Sequence, residues 1–170
     1  MELIIIPILI LLLLIPLSML WPTDSPWAPW WKTSNEKAIL MAQFAGVGPS
    51  DVIYELGSGD AKPLIAIVKK FKCRGVGIEI DPLRFWHSKL IAFKSPQRKK
   101  IKLIRGNLFK QDLSNASVVF VYLIPKALDK LLPKLKKELK TGTRIVSNNY
   151  DLDLPIRHYD RKNKIYLYVI

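Results

Sequence analysis

Asp51-Val-Ile-Tyr-Glu-Leu-Gly-Ser-Gly-Asp60 reads as an apolar strand that runs into a glycine-rich turn. Gly75-Val-Gly-Ile-Glu-Ile-Asp-Pro82 reads as a second strand that ends on an acid. Between them Ala61 to Phe71 has helical spacing of its apolar residues, so the three pieces predict a strand–helix–strand unit. The alternation continues downstream with a helix from Pro82 to about Phe93, a basic loop at 97–100 and a strand at Ile101–Arg105. Ser117–Leu123 is a continuous apolar run, typical of a central parallel strand. A Leu/Lys amphipathic helix spans Lys126–Leu139, with Leu128, Leu131, Leu132, Leu135 and Leu139 on one face and its lysines in solvent. Thr143–Ser147 is a fifth strand, and 156–159 with 165–170 predict a terminal hairpin. Upstream, Ser34 is placed as the N-cap of a short helix from Lys37 to Phe44 that stops near Gly46-Val47-Gly48-Pro49. The pattern predicts an α/β fold, a doubly wound and mostly parallel sheet closed by a C-terminal hairpin.

The 170 residues carry 27 Lys+Arg against 14 Asp+Glu, and 49% are hydrophobic, too apolar for a disordered basic tail. Residues 1–31 contain no Lys or Arg and two acids, Glu2 and Asp24. The other 139 residues therefore hold 27 positive charges against 14 − 2 = 12 acids, a net of +15. That length suits one domain with its own core and is too short for two. The single Cys73 excludes a disulfide framework and a cysteine zinc site. With His87 and His158 as the other soft donors, no metal site is predicted.

Leu3 to Thr23 contains no charge and is mostly Leu and Ile. Roughly 20 such residues at 1.5 Å each cross the ~30 Å core of a bilayer. There is no basic n-region, and Ser18-Met19-Leu20-Trp21 is a poor cleavage site, so the expectation is an uncleaved single-pass anchor over residues 1–21. Trp21, Trp27, Trp30 and Trp31 follow it, where indoles favour the lipid–water interface. Residues 22–33 read as a linker and 34–170 as the globular domain. The positive-inside bias places that domain on the cytoplasmic face of the membrane.

The chemistry sits at the strand ends. Gly57 and Gly59 permit close approach of backbone to a ligand beyond the first strand. The third glycine of the dinucleotide fingerprint is replaced by Lys62, and Glu55 would repel a pyrophosphate. The same carboxylate suits S-adenosylmethionine, which carries a sulfonium and an ammonium. Glu79, at the end of the second strand, is placed to accept both ribose hydroxyls of an adenosine ligand. Asp81 reads first as a helix cap and second as a ligand. Asn107 fits two roles, an acceptor for the adenine amino group or a turn residue, with Leu108 or Phe109 packing on the ring.

Together these segments resemble motifs I and II of class I S-adenosylmethionine-dependent methyltransferases. Asn107–Ser114, Val121-Tyr-Leu-Ile-Pro125, Thr141–Ser147 and the pre-motif Pro29-Trp-Trp-Lys-Thr33 narrow the resemblance to one small group. Its members are bacterial and archaeal relatives of the mitochondrial protein-lysine methyltransferases that act on the adenine nucleotide translocase and the ATP synthase c-ring protein. The resemblance covers about Pro29 to Tyr150. It implies a Rossmann-like seven-strand sheet, S-adenosylmethionine as cofactor, and a lysine of a membrane-associated protein as acceptor. By this match Thr33, Glu55, Gly57, Ser58, Gly59, Asp60, Glu79, Ile80, Asn107, Leu108 and Tyr122 are expected to line the cofactor. Three departures stand out. Ala61 replaces the family's second glycine, which is expected to be tolerated if its φ is helical. Asn107 replaces an Asp, and Asn148-Asn149-Tyr150 replaces His-Asp-Phe.

On the acceptor side, a lysine must shed its proton, which an apolar aromatic channel promotes. Trp30, Trp31 and Tyr122 are the candidates, with membrane anchoring as the competing role for the tryptophans. Tyr122 and Asn148 are the expected catalytic residues. Tyr122-Leu-Ile-Pro125 lacks the Asp/Asn-Pro-Pro-aromatic signature of base methylation, so nucleic acid is not the expected substrate, although the net positive charge is compatible with RNA. A lipid or small-molecule methyltransferase and a non-catalytic membrane scaffold are the remaining rivals.

Overall fold

The computed structural model describes residues 31–170, together with Ile6, Pro7 and Ile10. The expected anchor over 1–21, the linker up to residue 30 and Trp30 itself lie outside the described residues, apart from those three positions. Among the described residues no helix is long and apolar enough to cross a membrane.

The elements alternate as the sequence suggests. Helix α1 (Asn35–Phe44) precedes β1 (Val52–Leu56), α2 (Lys62–Phe71), β2 (Arg74–Glu79), α3 (Pro82–Lys94) and β3 (Ile101–Arg105). Then come β4 (Val118–Val121), α4 (Pro125–Glu138), β5 (Arg144–Asn148), β6 (His158–Asp160) and β7 (Ile165–Val169). The seven strands lie in the order β3-β2-β1-β4-β5-β7-β6. The first five are parallel, and β7 runs antiparallel against β5 and β6. Chain reversal between β1 and β4 makes their carboxyl ends the switch point, where open α/β sheets bind ligands.

Strand alternation divides the core. Tyr54, Leu56, Val119, Val121 and Ile145 pack with Leu128, Leu131 and Leu135 of α4 on one face. Ile53, Val118, Phe120 and Val146 pack with Ala38, Met41, Leu64 and Ile67 of α1 and α2 on the other. With period 2 along each strand, Glu55, Glu79, Tyr122 and Asn148 all fall on the α1–α2 face.

Local chemistry explains the element ends. Ser34 accepts from Lys37 N at 3.1 Å and caps α1, and Asp81 Oδ1 accepts from Arg84 N at 2.7 Å and caps α3. At the opposite end of the sheet Asp51 gathers Gly48 N, Ser117 Oγ and the Arg144 guanidinium, clasping the starts of β1, β4 and β5. One expectation fails. Ala61 has φ +56°, left-handed and not helical, so α2 begins at Lys62. The turn needs a residue there that breaks away from β1, and Ala occupies a conformation that suits glycine.

Gly75 allows α2 to lie close on β2. A Cβ there would sit 2.7 Å from Val68 Cγ2 and 3.0 Å from Leu64 Cδ1, both on fully buried side chains. Gly75→Ala should therefore destabilise the fold by about 1–3 kcal/mol through overpacking. The urea midpoint should fall while the slope of the transition stays unchanged.

Candidate functional site

The glycine turn is built by backbone bonds across the sheet. Gly57 N and Ser58 N both donate to Ile78 O at 2.9 Å, and Gly57 and Gly59 have φ of +81° and +54°. Gly77 gives Ser58 its place, since a Cβ on Gly77 would lie 2.8 Å from Ser58 Oγ. Glu79 then ties the turn to the next corner. Its Oε2 accepts from Gly59 N at 2.7 Å and its Oε1 from Asp81 N at 2.9 Å. It is 6% exposed, so it is no solvated strand-end acid. Burial pushes the Glu79 carboxyl above its ordinary value, against the opposing pull of the Asp81 and Gly59 amides.

Glu55 is half-buried, with Oε2 sealed from solvent and without a hydrogen-bond partner among the described residues. Desolvation first, then the neighbouring Asp60 and Glu79 carboxylates, push its pKa up to about 8. It lines a small cleft with Thr33, Ala38, Met41, Gly57, Phe120 and Tyr122. The structure thus brings the pre-motif Thr33 to the first strand's acid and to the residue after β4. Asp60 is buried, accepts from Lys62 N at 3.1 Å, and faces the ammonium groups of Lys32 and Lys62 at 3.8 and 3.4 Å.

Asn107 takes the turn role, with Oδ1 accepting from Phe109 N at 2.9 Å and capping the short 3-10 turn Leu108–Lys110. Gly106 N bonds to Glu79 O, which sets this corner beside that of β2. Leu108 packs on the α4-side core, and Ile80 is half-buried just beyond Glu79.

The acceptor side contains an aromatic cluster that the sequence shows only in part. The Trp31 ring lies 5.9 Å from Tyr122 and 6.3 Å from Tyr150, stacked on the latter. Asn149 Nδ2 donates to Tyr122 OH at 2.9 Å. Tyr150 and Asn149 are not among the site residues that the sequence singles out, although an aromatic just past the fifth strand is the available signal. Asn148 is 4% exposed, its Oδ1 has no partner among the described residues, and it is not among the residues lining the Glu55 cleft. Cys73 is buried before β2, and His87 is exposed on α3.

Comparison with known proteins sharpens this geometry. The sequence model of the ANTKMT methyltransferase domain matches residues 55–155. A protein-lysine N-methyltransferase of Saccharolobus islandicus is 31% identical over 153 residues, covering 85% of this chain and 95% of that protein. An adenine nucleotide translocase lysine N-methyltransferase of Mus musculus is 31% identical over 98 residues, covering 58% of this chain and 43% of that protein. Among solved structures, an RNA methyltransferase from Salinibacter ruber in complex with S-adenosyl-L-homocysteine superimposes with a TM-score of 0.79 and 33% identity. That match covers 82% of this chain and 94% of that one.

The Glu55 environment has a measurable consequence. Between its ordinary value of 4.5 and about 8, the native state keeps a proton that the unfolded chain has released. Native stability without ligand should therefore fall as pH rises through that window, because the native state binds more protons. Glu55→Gln should flatten this slope and leave the variant relatively more stable towards pH 8. Urea midpoints of both proteins across the window check the sign, and an unchanged slope would remove Glu55 as its source.

Proposed function

The chain belongs to the ANTKMT methyltransferase domain family, and from that premise we propose that it is an S-adenosylmethionine-dependent protein-lysine N-methyltransferase. The observation that carries the reading is Glu55: it lines the cleft beside Thr33 and Tyr122, and its Oε2 is sealed from solvent without a partner among the described residues. A buried acid without a partner is costly, and a cationic ligand would supply what it lacks. The set of residues fits the cofactor: Glu55 for its positive charges, the Gly57–Gly59 turn for close approach, Glu79 for the ribose. When bound, S-adenosylmethionine supplies an electrophilic methyl group.

The chain's own part is to orient and desolvate the acceptor. Trp31, Tyr122 and Tyr150 form an aromatic cluster that excludes water from the acceptor and so favours the neutral amine, its proton having passed to solvent. Asn149 fixes the Tyr122 ring by holding its hydroxyl. The Oδ1 of Asn148, without a partner among the described residues, is offered as an acceptor for an N–H of the acceptor amine.

We further propose that the acceptor lysine belongs to a membrane-associated protein, that residues 1–21 are a single-pass anchor, and that the domain lies on the cytoplasmic side. The apolar leader and the +15 balance of residues 32–170 support this reading. The likeness to the Salinibacter ruber RNA methyltransferase favours RNA as a second acceptor class. Incubating membranes of a gene-deletion strain with the purified full chain and radiolabelled S-adenosylmethionine separates the alternatives. Label should enter protease-sensitive, membrane-bound material and hydrolyse to methyl-lysine. Label confined to ribonuclease-sensitive material or to extracted lipid would overturn the lysine reading.

Glu79→Ala should weaken S-adenosylmethionine binding by roughly one to two orders of magnitude. Losing a charged hydrogen bond typically costs ~1.5–3 kcal/mol, and the Gly59 and Asp81 amides would lose their acceptor as well. Calorimetry on the full chain in detergent measures this, with NAD as the ligand expected not to bind.

A further inference from the structure

Three large apolar side chains stand out of α3 in one row. Trp86, Leu90 and Phe93 are 60%, 64% and 72% exposed, at positions i, i+4 and i+7 of a single helix face. Between this row and the edge strand β3 runs a groove floored by Ala92, Ile101 and Leu103 and rimmed by Lys89, Arg98 and Lys99. On the other flank of α3 a second apolar groove is lined by Ile39, Ile65 and Ile91, with Lys62, Lys69 and Lys70 around it. The two grooves flank α3, one towards β3 and the other towards α1 and α2.

The charge around this face has one sign. Residues 61–111 contain 14 Lys and Arg and two acids, Glu79 and Asp81. Both acids are buried, at 6% and 2% exposure, and both are engaged at the cofactor corner. Among the described residues no acid lines either groove. A second copy of the chain is a poor occupant, because two such rims would repel each other. Nucleic acid would match the lysines, but single strands hold to proteins by stacking on aromatic rings. Here Trp86 and Phe93 share their groove with aliphatic Leu90, Ile101 and Leu103.

We propose that the α3–β3 face is a docking surface for an anionic lipid bilayer, with Trp86, Leu90 and Phe93 entering the headgroup–acyl boundary. An apolar row containing Trp and Phe, bordered by lysines, has the composition of helices that lie in that boundary. The lysine and arginine stems lie along the apolar surface while their charged ends meet lipid phosphates. Arg98 already sits over the Phe93 ring, 5.8 Å from its centroid. The exposed Lys102 and Arg105 on β3 keep this sheet edge from pairing with another strand. Because α3 starts at the Asp81 cap beside Glu79, docking sets the cofactor corner close to the bilayer surface. The proposal stands apart from the methyl-transfer reading and is tested by a binding geometry.

The test uses the full chain in lipid nanodiscs with a nitroxide at Leu90→Cys; the label is itself apolar, and Cys73 is buried and does not compete. Collision with oxygen and with a water-soluble nickel complex is compared in phosphatidylcholine discs and in discs rich in phosphatidylglycerol. The anionic discs should raise the oxygen-to-nickel ratio several-fold over the neutral ones, and added salt should reverse the change. A variant carrying Lys89→Gln, Lys94→Gln, Arg98→Gln and Lys99→Gln alters exposed side chains only and should lose the response with its thermal unfolding unchanged. An equally aqueous label in both discs would overturn the proposal. So would a label buried to the same degree in neutral discs and in detergent, which would mean that another part of the chain covers the groove. Shielding that appears only on adding an RNA oligonucleotide would assign the face to nucleic acid instead.

Discussion

The Glu79 carboxylate joins two turns that would otherwise be independent: one oxygen holds the amide of Gly59 and the other the amide of Asp81. The first bond fixes the glycine turn after β1, the second fixes the corner from which α3 departs. Since Asp81 also caps α3 and Gly106 N bonds to Glu79 O, three successive strand ends are registered through one residue. Charged acceptors make stronger bonds to amides than neutral ones, and burial prevents water from competing. The cleft inherits its shape from this arrangement, because Gly57 and Ser58 are positioned by the same β2 strand.

The local electrostatics follow from that choice. Glu55, Asp60 and Glu79 crowd the switch point, and of these three the first is left with a partnerless oxygen. Asp60 shares its charge with Lys32 and Lys62, and Glu79 with two amides. Among the described residues none satisfies that oxygen, and a cationic ligand would satisfy Glu55 as an anion. A site of this kind is a strained ground state that a cation relieves, which explains why an unsatisfied polar atom survives in a well-packed sheet.

Much of this is legible in the residues. The alternation of apolar runs places the helices and strands from α1 to β5, and Ser34 and Asp81 announce their caps, because these signals are local and each element carries its own. Ala61 departs from its expected helical φ because that angle is imposed by the turn that Gly59 and Glu79 build, not by its own side chain. Asn107 is ambiguous for a similar reason: a side-chain amide oxygen two residues before a backbone N–H donor caps a turn whatever else it does. The Trp31–Tyr122–Tyr150 cluster joins residues 91 and 119 positions apart along the chain, as the rings of 31, 122 and 150 show. Spacing rules reach a few turns of helix or one strand pair, and no such rule spans that distance.

A cleft built around the acid Glu55 in a chain of net charge +13 needs a reason to work. Exposed lysines are screened over about 8–10 Å at physiological salt, whereas buried carboxylates are screened far less. A cation near the strand ends therefore responds to the neighbouring acids, and to Glu55 as its proton leaves, more than to the distant basic surface. Lys32 and Lys62 are held against Asp60, so their charge is met locally. Burial thus separates two regions within one small domain: acids gathered at the switch point, with Glu55 becoming an anion as a cation arrives, and a positive surface over α2, α3 and β3. If the charges of Glu79 and Asp81 lay at the surface, they would dilute the basic flank and leave the glycine turn without its brace. The same two buried acids serve both ends of the design.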